Sequence, residues 1–279
     1  MKAPRCLPVR IVYSLLPVAL IFLAGAPSAS AQRVAVDTYE RTVPLPPGGS
    51  FSISNVNGSI DIEGWNRNEV QVLARKFTTG PAESLRQVAV SLDATPDSVS
   101  ISTHYSEGSG VEVNVEFRVR VPARVRLVSV GTINGAVTVH DVSGEGLLAT
   151  VNGDVVLSRA SGRFSARSTN GNVSLELLSL ESGLEPMEAA LPDPARDSGR
   201  AAVSVQTVNG SIIVAIPSQA DADLDASTRN GDFSSDQPLL AHTSSAGRTI
   251  RGRVGSGGPL LLLRTVNGSI RLRISRPLV

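Results

Sequence analysis

Cysteine, methionine and aromatic residues are scarce in this sequence. Its 279 residues include one cysteine, two methionines and one tryptophan, and aromatic side chains make up 4% of the chain. The cysteine, Cys6, precedes an apolar N-terminal segment. We expect it to be removed with that segment, so the mature chain would have no disulfide bonds. The remaining apolar residues are mainly valine, leucine, isoleucine and alanine, which suit thin β layers better than a bulky core.

The sequence also lacks an excess of charge of either sign. It has 26 basic and 25 acidic residues and no long basic run, so nucleic acid is not an expected partner. The low charged fraction of 18%, together with regular apolar patterning, argues against disorder. Beyond the N-terminal segment no apolar run is long enough to cross a bilayer, and no integral membrane segment is predicted in the mature chain.

The N-terminus has the order of parts typical of a signal peptide. Lys2, Arg5 and Arg10 precede a mostly apolar stretch from Ile11 to Ala24, which is too short to span a bilayer. Ala29-Ser30-Ala31 then provides a small-x-small cleavage site. We therefore predict a cleaved signal peptide at 1–31 and export to the periplasm, the cell surface or the medium; an uncleaved anchor is the alternative interpretation.

A short phrase recurs seven times and organises the chain. It consists of threonine (serine in one copy and asparagine in another), a variable residue, asparagine, glycine, a small or polar residue, and an apolar residue that recurs two places on. We call it the repeat phrase. Its Asn-Gly pairs are Asn57-Gly58, Asn134-Gly135, Asn152-Gly153, Asn170-Gly171, Asn209-Gly210, Asn230-Gly231 and Asn267-Gly268.

The spacing of the copies indicates repeated units of about 18 residues. Asn134, Asn152 and Asn170 are 18 apart, and Ser-Gly pairs fall midway between them. Each unit is interpreted as a strand, a corner at Asn-Gly, a second strand and a corner at Ser-Gly, because asparagine and glycine tolerate positive φ. Apolar residues recur six and four places before most of the asparagines, such as Val128 and Val130.

Two architectures satisfy this pattern. In a hairpin meander the strands on either side of Asn-Gly face each other, whereas in a β-solenoid each unit is one rung and equivalent residues stack. The fixed period and the repeated threonine and asparagine favour stacking, because aligned asparagine side chains can form hydrogen-bonded ladders. The predicted fold is therefore all-β, with N-terminal alternating strands leading into a right-handed β-solenoid (β-helix-like) of about 18-residue rungs with Asn-Gly corners.

The mature sequence divides into three segments. An extended lead-in covers 32–50, an N-terminal β region covers 51–130, and the repeats cover 131–279, with an inserted surface loop at about 179–200. Within these segments we predict a turn at Gly64-Trp65-Asn66 and one helical turn between Pro81 and Gln87. A degenerate rung is predicted around 248–254, because Asn230 and Asn267 are separated by about two periods.

These features resemble the bacterial "putative adhesin" family of exported repeat-β proteins of uncharacterised function, which is related to head-domain adhesins with a G-I-N motif. The resemblance rests on the repeat phrase, on Gly64-Trp65 after the first copy, and on the strand ending at Pro122 just before the repeats. It also rests on the segment from Ile250 to Gly258 before the final copy. It implies a β-solenoid-like fold in the cell envelope and carries no catalytic residues.

Few residues form a pattern that carries chemistry. His104, His140 and His242 have no metal-ligand spacing and are interpreted as surface residues. Asp221, Asp223 and Asp225 alternate along one predicted strand and are a weak candidate cation site, with a solvated face as the alternative. No cofactor is predicted. Trp65 is the one candidate platform for stacking against a sugar. Charged residues on predicted outer faces are Arg120, Arg124, Arg126, Asp154, Asp232, Arg271 and Arg273.

The sequence therefore favours an exported, non-catalytic envelope protein, with an adhesin-like or scaffold role and no enzymatic activity. Its expected partner is an envelope or extracellular glycan or a protein surface. One alternative is a β-helix protein that binds or cleaves polysaccharide through a groove. Another is an accessory of envelope-stress signalling.

Overall fold

The structure is a computed structural model that describes residues 35–106, 113–180, 201–243 and 249–275. The predicted signal peptide at 1–31 and most of the predicted loop at 179–200 lie outside the described residues. Among the described residues, no helix combines the length and the apolar character that a membrane crossing requires.

The described chain is all-β apart from one 3-10 helix, Ala82–Gln87, which confirms the predicted helical turn. All twenty strands belong to one sheet. They are β1 (Ala35–Pro44), β2 (Ser50–Ser54), β3 (Ile60–Trp65), β4 (Glu69–Thr78), β5 (Val88–Thr95), β6 (Ser98–Tyr105), β7 (Val113–Pro122), β8 (Arg124–Asn134), β9 (Val137–His140), β10 (Ser143–Asn152), β11 (Val155–Asn170), β12 (Val173–Leu180), β13 (Val203–Asn209), β14 (Ile212–Ile216), β15 (Ala222–Asn230), β16 (Phe233–Ser235), β17 (Leu239–Thr243), β18 (Thr249–Val254), β19 (Leu260–Asn267) and β20 (Ile270–Ile274).

Strands on the two sides of each Asn-Gly pair belong to two separate parallel ladders. The first ladder contains strands that precede Asn-Gly, in the order β2, β8, β10, β11, β13, β19 and β15, with β6 outside β2. The second contains strands that follow it, in the order β3, β9, β11, β12, β14, β20 and β16, with β7 outside β3. The long strand β11 takes part in both ladders. A meander would instead pair the two strands that flank each Asn-Gly antiparallel. We use "rung" for one strand of each ladder together with its Asn-Gly connection.

Antiparallel strands flank this parallel stack at both ends. At the N-terminal end β4 pairs with β7, β1 pairs with β4 along its whole length, and β5 pairs with β6. The predicted lead-in at 32–50 is thus largely a strand of the sheet. At the other end β18 pairs antiparallel with both β15 and β17. The degenerate rung predicted around 248–254 was therefore wrong, because β17 and β18 form a hairpin that returns the chain beside β15.

The rungs do not follow chain order at the C-terminal end. Strand β19, which carries the last repeat phrase, is hydrogen-bonded between β13 and β15. Asn267 therefore lies in register with both Asn209 and Asn230. Strand β15 is bordered by β19 on one side and by β18 on the other.

Aliphatic side chains fill the interior, as the composition predicted. Val137, Val155, Val173, Ile212 and Ile270 form one column through the second ladder, and all are at most 1% exposed. Two exceptions have local causes. A bulge in β8 leaves Val128 39% exposed and buries Leu127, so the apolar residue six places before Asn134 does not lie in the core.

The second exception concerns a pair of residues in neighbouring rungs. Gly146 is buried and lies opposite Phe164 in the register of β10 and β11. A Cβ atom at Gly146 would lie 2.9 Å from Cδ1 of Phe164. The glycine that interrupts the apolar pattern therefore provides the space that the phenylalanine ring occupies.

The turn predicted at Gly64-Trp65-Asn66 begins later than expected. Strand β3 continues through Trp65, and the chain turns over 66–68. A Cβ atom at Gly64 would lie 1.9 Å from the carbonyl oxygen of Asp141, so the glycine permits close approach of another rung.

Candidate functional surface

The seven repeat asparagines form one continuous side-chain ladder. Six bonds join them, and in each an Nδ2 group donates to the Oδ1 atom of the asparagine in the neighbouring rung, at 2.7 to 2.8 Å. The order along the ladder is Asn57, Asn134, Asn152, Asn170, Asn209, Asn267 and Asn230. The side chains are solvent-accessible, so the ladder lies along one edge of the stack.

In six of the seven copies, the hydroxyl group that begins the repeat phrase provides a second contact between rungs. Thr150 Oγ1, for example, donates to the carbonyl oxygen of Gly135 in the preceding rung at 2.8 Å. The same bond joins Ser168 to Gly153, Thr207 to Gly171, Thr265 to Gly210, Thr228 to Gly268 and Thr132 to Gly58. Because these hydroxyl-bearing residues are buried, each bond satisfies a polar group inside the stack.

The repeat glycines are required by the spacing of the rungs rather than by a left-handed backbone alone. A Cβ atom at Gly171 would lie 1.9 Å from the carbonyl oxygen of Gly153, and Gly171 has no positive φ. Corresponding distances at Gly135, Gly153, Gly210, Gly231 and Gly268 are 2.2, 2.0, 2.0, 2.1 and 2.0 Å. The expectation that asparagine supplies positive φ was wrong, since Asp141 and Arg159 are the only non-glycine residues with positive φ among those described.

Replacing Asn152 with alanine tests the ladder. The change removes the bond that Asn152 donates to Asn134 and the bond that it accepts from Asn170. We expect the free energy of unfolding, measured by urea denaturation, to fall by about 1 kcal/mol, as for a typical hydrogen bond. Val151→Ala changes the adjacent residue, whose side chain is 41% exposed, and should cost at most about 0.5 kcal/mol. Equal stability of wild type and Asn152→Ala would mean that the ladder contributes nothing.

The candidate cation site lies at the start of β15, with Asp221 just before the strand, and each carboxylate contacts another group. Asp223 is 3.6 Å from Arg253 and Asp225 is 3.0 Å from Arg251, while Asp221 accepts a bond from the Ser256 amide at 2.7 Å. The described residues contain no group of three or more histidine, cysteine, aspartate or glutamate side chains arranged to hold a metal ion.

Other outward charges also contact partners. Arg120 contacts Glu63 at 3.0 Å, and Arg126 contacts Glu145 at 2.9 Å. Arg271 and Arg273 both approach Asp236, at 3.3 and 3.9 Å. Asp154 accepts a bond from the Asn172 amide, and the amide of Asp232 donates to Ser269 Oγ. These two aspartates thus belong to contacts between rungs.

His140 lies in a polar cluster that the sequence did not predict. Its Nδ1 atom is 3.0 Å from Asp141, and its Nε2 atom is 3.7 Å from Asp61. Asp141 also accepts hydrogen bonds from Arg159 in the next rung, and this guanidinium, with a smaller effect of His140, lowers the pKa of Asp141 to about 2. Asp141 and Arg159 both have positive φ and are 18 residues apart, close to the predicted Ser-Gly corners. Their ion pair joins strained backbone positions in neighbouring rungs.

The other candidate aromatic and histidine positions have local contacts. His104 Nε2 is 2.9 Å from Ser102 Oγ, and the His242 side chain lies outside the described part of the chain. The Trp65 indole donates to the carbonyl oxygen of Glu69 at 2.8 Å. The guanidinium groups of Arg67 and Arg120 lie 4.9 and 5.8 Å from its ring centroid. These two cations are already placed against the ring that was the candidate for stacking against a sugar.

An open groove of about 630 Å³ crosses the outward face of the first ladder. Its polar lining includes Arg167, Gln206, Arg264, Ser227, Arg229 and Thr249. Arg167, Gln206, Arg264 and Ser227 occupy the same register position in four adjacent strands. They stand three places before the repeat asparagines, so aligning the copies on Asn-Gly could have identified this row.

Comparisons with known proteins give distant likenesses. No family model matches the sequence, and no curated protein matches it. Among solved structures, a putative cell adhesion protein from Clostridium sporogenes ATCC 15579 is 9% identical with a TM-score of 0.43, over 86% of this chain and 100% of that one. A putative adhesin from Bacteroides fragilis NCTC 9343 is also 9% identical, with a TM-score of 0.28, over 85% of this chain and 97% of that one. For a putative adhesin from Parabacteroides distasonis ATCC 8503 the identity is 11% and the TM-score 0.25, with the same two coverages.

Proposed function

We propose that this protein is an exported, non-catalytic module of the cell envelope with an adhesin-like or scaffold role. One observation carries the proposal. Neighbouring rungs contact each other through the residues that they share, which are asparagine, threonine and glycine. The outward side chains, in contrast, differ from rung to rung. A rigid frame with variable outward positions suits recognition of a surface by many contacts.

The outward carboxylates support the non-catalytic part of the proposal. Polysaccharide cleavage by the usual mechanism needs two carboxyl groups placed on either side of the scissile bond. Asp223, Asp225 and Glu63 each contact an arginine instead, and Asp154 contacts a backbone amide of the next rung. These four carboxylates therefore take part in contacts between neighbouring strands of the stack.

The proposal includes the predicted architecture and location. In it, the parallel ladders form a right-handed β-solenoid over 131–279, preceded by the β region at 51–130, since parallel crossovers are generally right-handed. Cleavage after residue 31 delivers the protein to the periplasm, the surface or the medium. A relationship to adhesins with the G-I-N motif belongs to the same proposal.

A paired assay of binding and cleavage tests the function. The purified protein is incubated with whole cells, peptidoglycan and a panel of polysaccharides, and both retained protein and released sugar ends are measured. We expect retention on at least one surface or polysaccharide and no release of sugar ends. Cleavage that a single carboxylate substitution abolishes would overturn the non-catalytic proposal, and failure to bind any surface would overturn the recognition role.

A further inference from the structure

We propose that the groove on the first ladder binds an acidic polysaccharide, with Arg229 and Arg264 as the groups that contact its carboxylates. This inference rests on the proposed recognition function and gives it a ligand class. Among the described residues, the lining of the groove includes three arginines and no acidic residue. It crosses several rungs, so an elongated ligand can contact more than one of them.

The charges around the groove distinguish it from the rest of the same face. Further along β15, Asp223 and Asp225 contact Arg253 and Arg251. In contrast, no described carboxylate lies within ion-pair distance of Arg229 or Arg264. Arg229 is exposed and Arg264 is partly buried, and the two residues come from neighbouring strands, with Ser227 beside Arg264 in the register. Arg229 and Arg264 therefore present positive charge to the groove without a carboxylate partner among the described residues.

The uncharged part of the lining favours a sugar chain as the source of the anion. Ser227 and Thr249 offer hydroxyl groups that can exchange hydrogen bonds with sugar hydroxyls. Guanidinium groups bind carboxylates through two parallel hydrogen bonds. Adjacent strands present side chains about 4.8 Å apart, which gives a linear polymer regularly spaced contacts. The volume of about 630 Å³ is that of an ordinary small-ligand site.

The test uses polygalacturonate as the acidic probe and its methyl ester as the matched neutral probe. Affinity is measured by isothermal titration calorimetry for the wild type, Arg264→Gln, Arg229→Gln and the double variant. We expect the wild type to prefer the acid form at least tenfold, and each substitution to weaken binding about tenfold, as for one lost charge-assisted hydrogen bond. Binding should also weaken as salt is raised.

Arg75→Gln is the matched control. Arg75 is an exposed arginine of β4, outside the groove, and its replacement changes the net charge equally. We expect its affinity to equal that of the wild type. An equal loss in Arg75→Gln and Arg264→Gln would overturn the groove as the site, because it would indicate a general charge effect.

Other results separate this inference from the proposed function. Retention on cells without binding of any acidic polysaccharide would overturn the ligand class but leave the recognition role intact. Preference for anionic vesicles or single-stranded DNA over polygalacturonate would also overturn the ligand class. Loss of binding to every surface would overturn both proposals. Circular dichroism of each variant confirms that a lost affinity does not reflect unfolding.

Discussion

Replacing Gly171 with alanine is expected to lower the free energy of unfolding by about 3 kcal/mol. The added Cβ atom would lie 1.9 Å from the carbonyl oxygen of Gly153 and 2.5 Å from its carbonyl carbon. Both atoms belong to the backbone of the neighbouring rung, so the strain can be relieved only by separating the rungs. Separation would weaken the bond from Ser168 to the Gly153 carbonyl and the ladder bond between Asn170 and Asn152. Urea denaturation measures the effect.

Gly131→Ala is the matched control for Gly171→Ala. It introduces the same methyl group into a strand of the first ladder, but the nearest atom, the carbonyl oxygen of Ala149, is 3.5 Å away. We expect its stability to remain within about 0.5 kcal/mol of the wild type. Similar stabilities of the two alanine variants would contradict the close approach of rungs at the repeat glycines.

Replacing Phe164 with alanine is expected to cost about 3 to 5 kcal/mol, because it removes a fully buried ring from the core. The ring is 2% exposed and lies over Gly146, its register partner. The resulting cavity therefore borders a position that has no side chain of its own. Urea denaturation of the purified variant measures the loss.

The effect of Gly146→Leu should reverse with the residue at position 164. In the wild type we expect leucine to destabilise by about 1 to 3 kcal/mol, since its Cβ atom would lie 2.9 Å from the Phe164 ring. In the Phe164→Ala background the same leucine should recover more than 1 kcal/mol by filling the cavity. Destabilisation of similar size in both backgrounds would contradict the complementary packing of these two positions.

Much of the strand arrangement could be predicted from the repeat phrase. The fixed spacing of Asn134, Asn152 and Asn170, with apolar residues at constant offsets, predicted strands that repeat in register, and an aliphatic core. The roles of the positions that recur in the repeat phrase were only partly predicted. Asparagine was expected to form a ladder and also to supply positive φ. The structure has the ladder bonds without positive φ at any repeat asparagine. Spacing alone does not distinguish a tight corner from close approach of two backbones, since glycine satisfies both.

The remaining features depend on contacts between residues that are distant in the chain. The position of Asn267 between Asn209 and Asn230 follows from strand pairing, because identical copies of the phrase can stack in any order. The exposure of Val128 follows from a bulge that leaves no signal in an alternating sequence. The groove was missed for a related reason. Arg229 and Arg264 become neighbours only when β15 and β19 pair.

Disulfide cross-linking tests directly whether equivalent residues of the repeat phrase stack in the observed order. Val208 and Val266 are bracketed by the register pairs Thr207–Thr265 and Asn209–Asn267, so they lie in adjacent rungs. In a Cys6→Ser background, Val208→Cys with Val266→Cys places the two Cα atoms about 4.8 Å apart, within the range of a disulfide. Val208→Cys with Arg229→Cys spans two rungs, about 10 Å, and is too long.

Peptide mapping by mass spectrometry after mild oxidation identifies the linked residues. The observed stack predicts a disulfide between positions 208 and 266 and none between 208 and 229. A disulfide between 208 and 229, with none between 208 and 266, would contradict it and would mean that the rungs follow chain order.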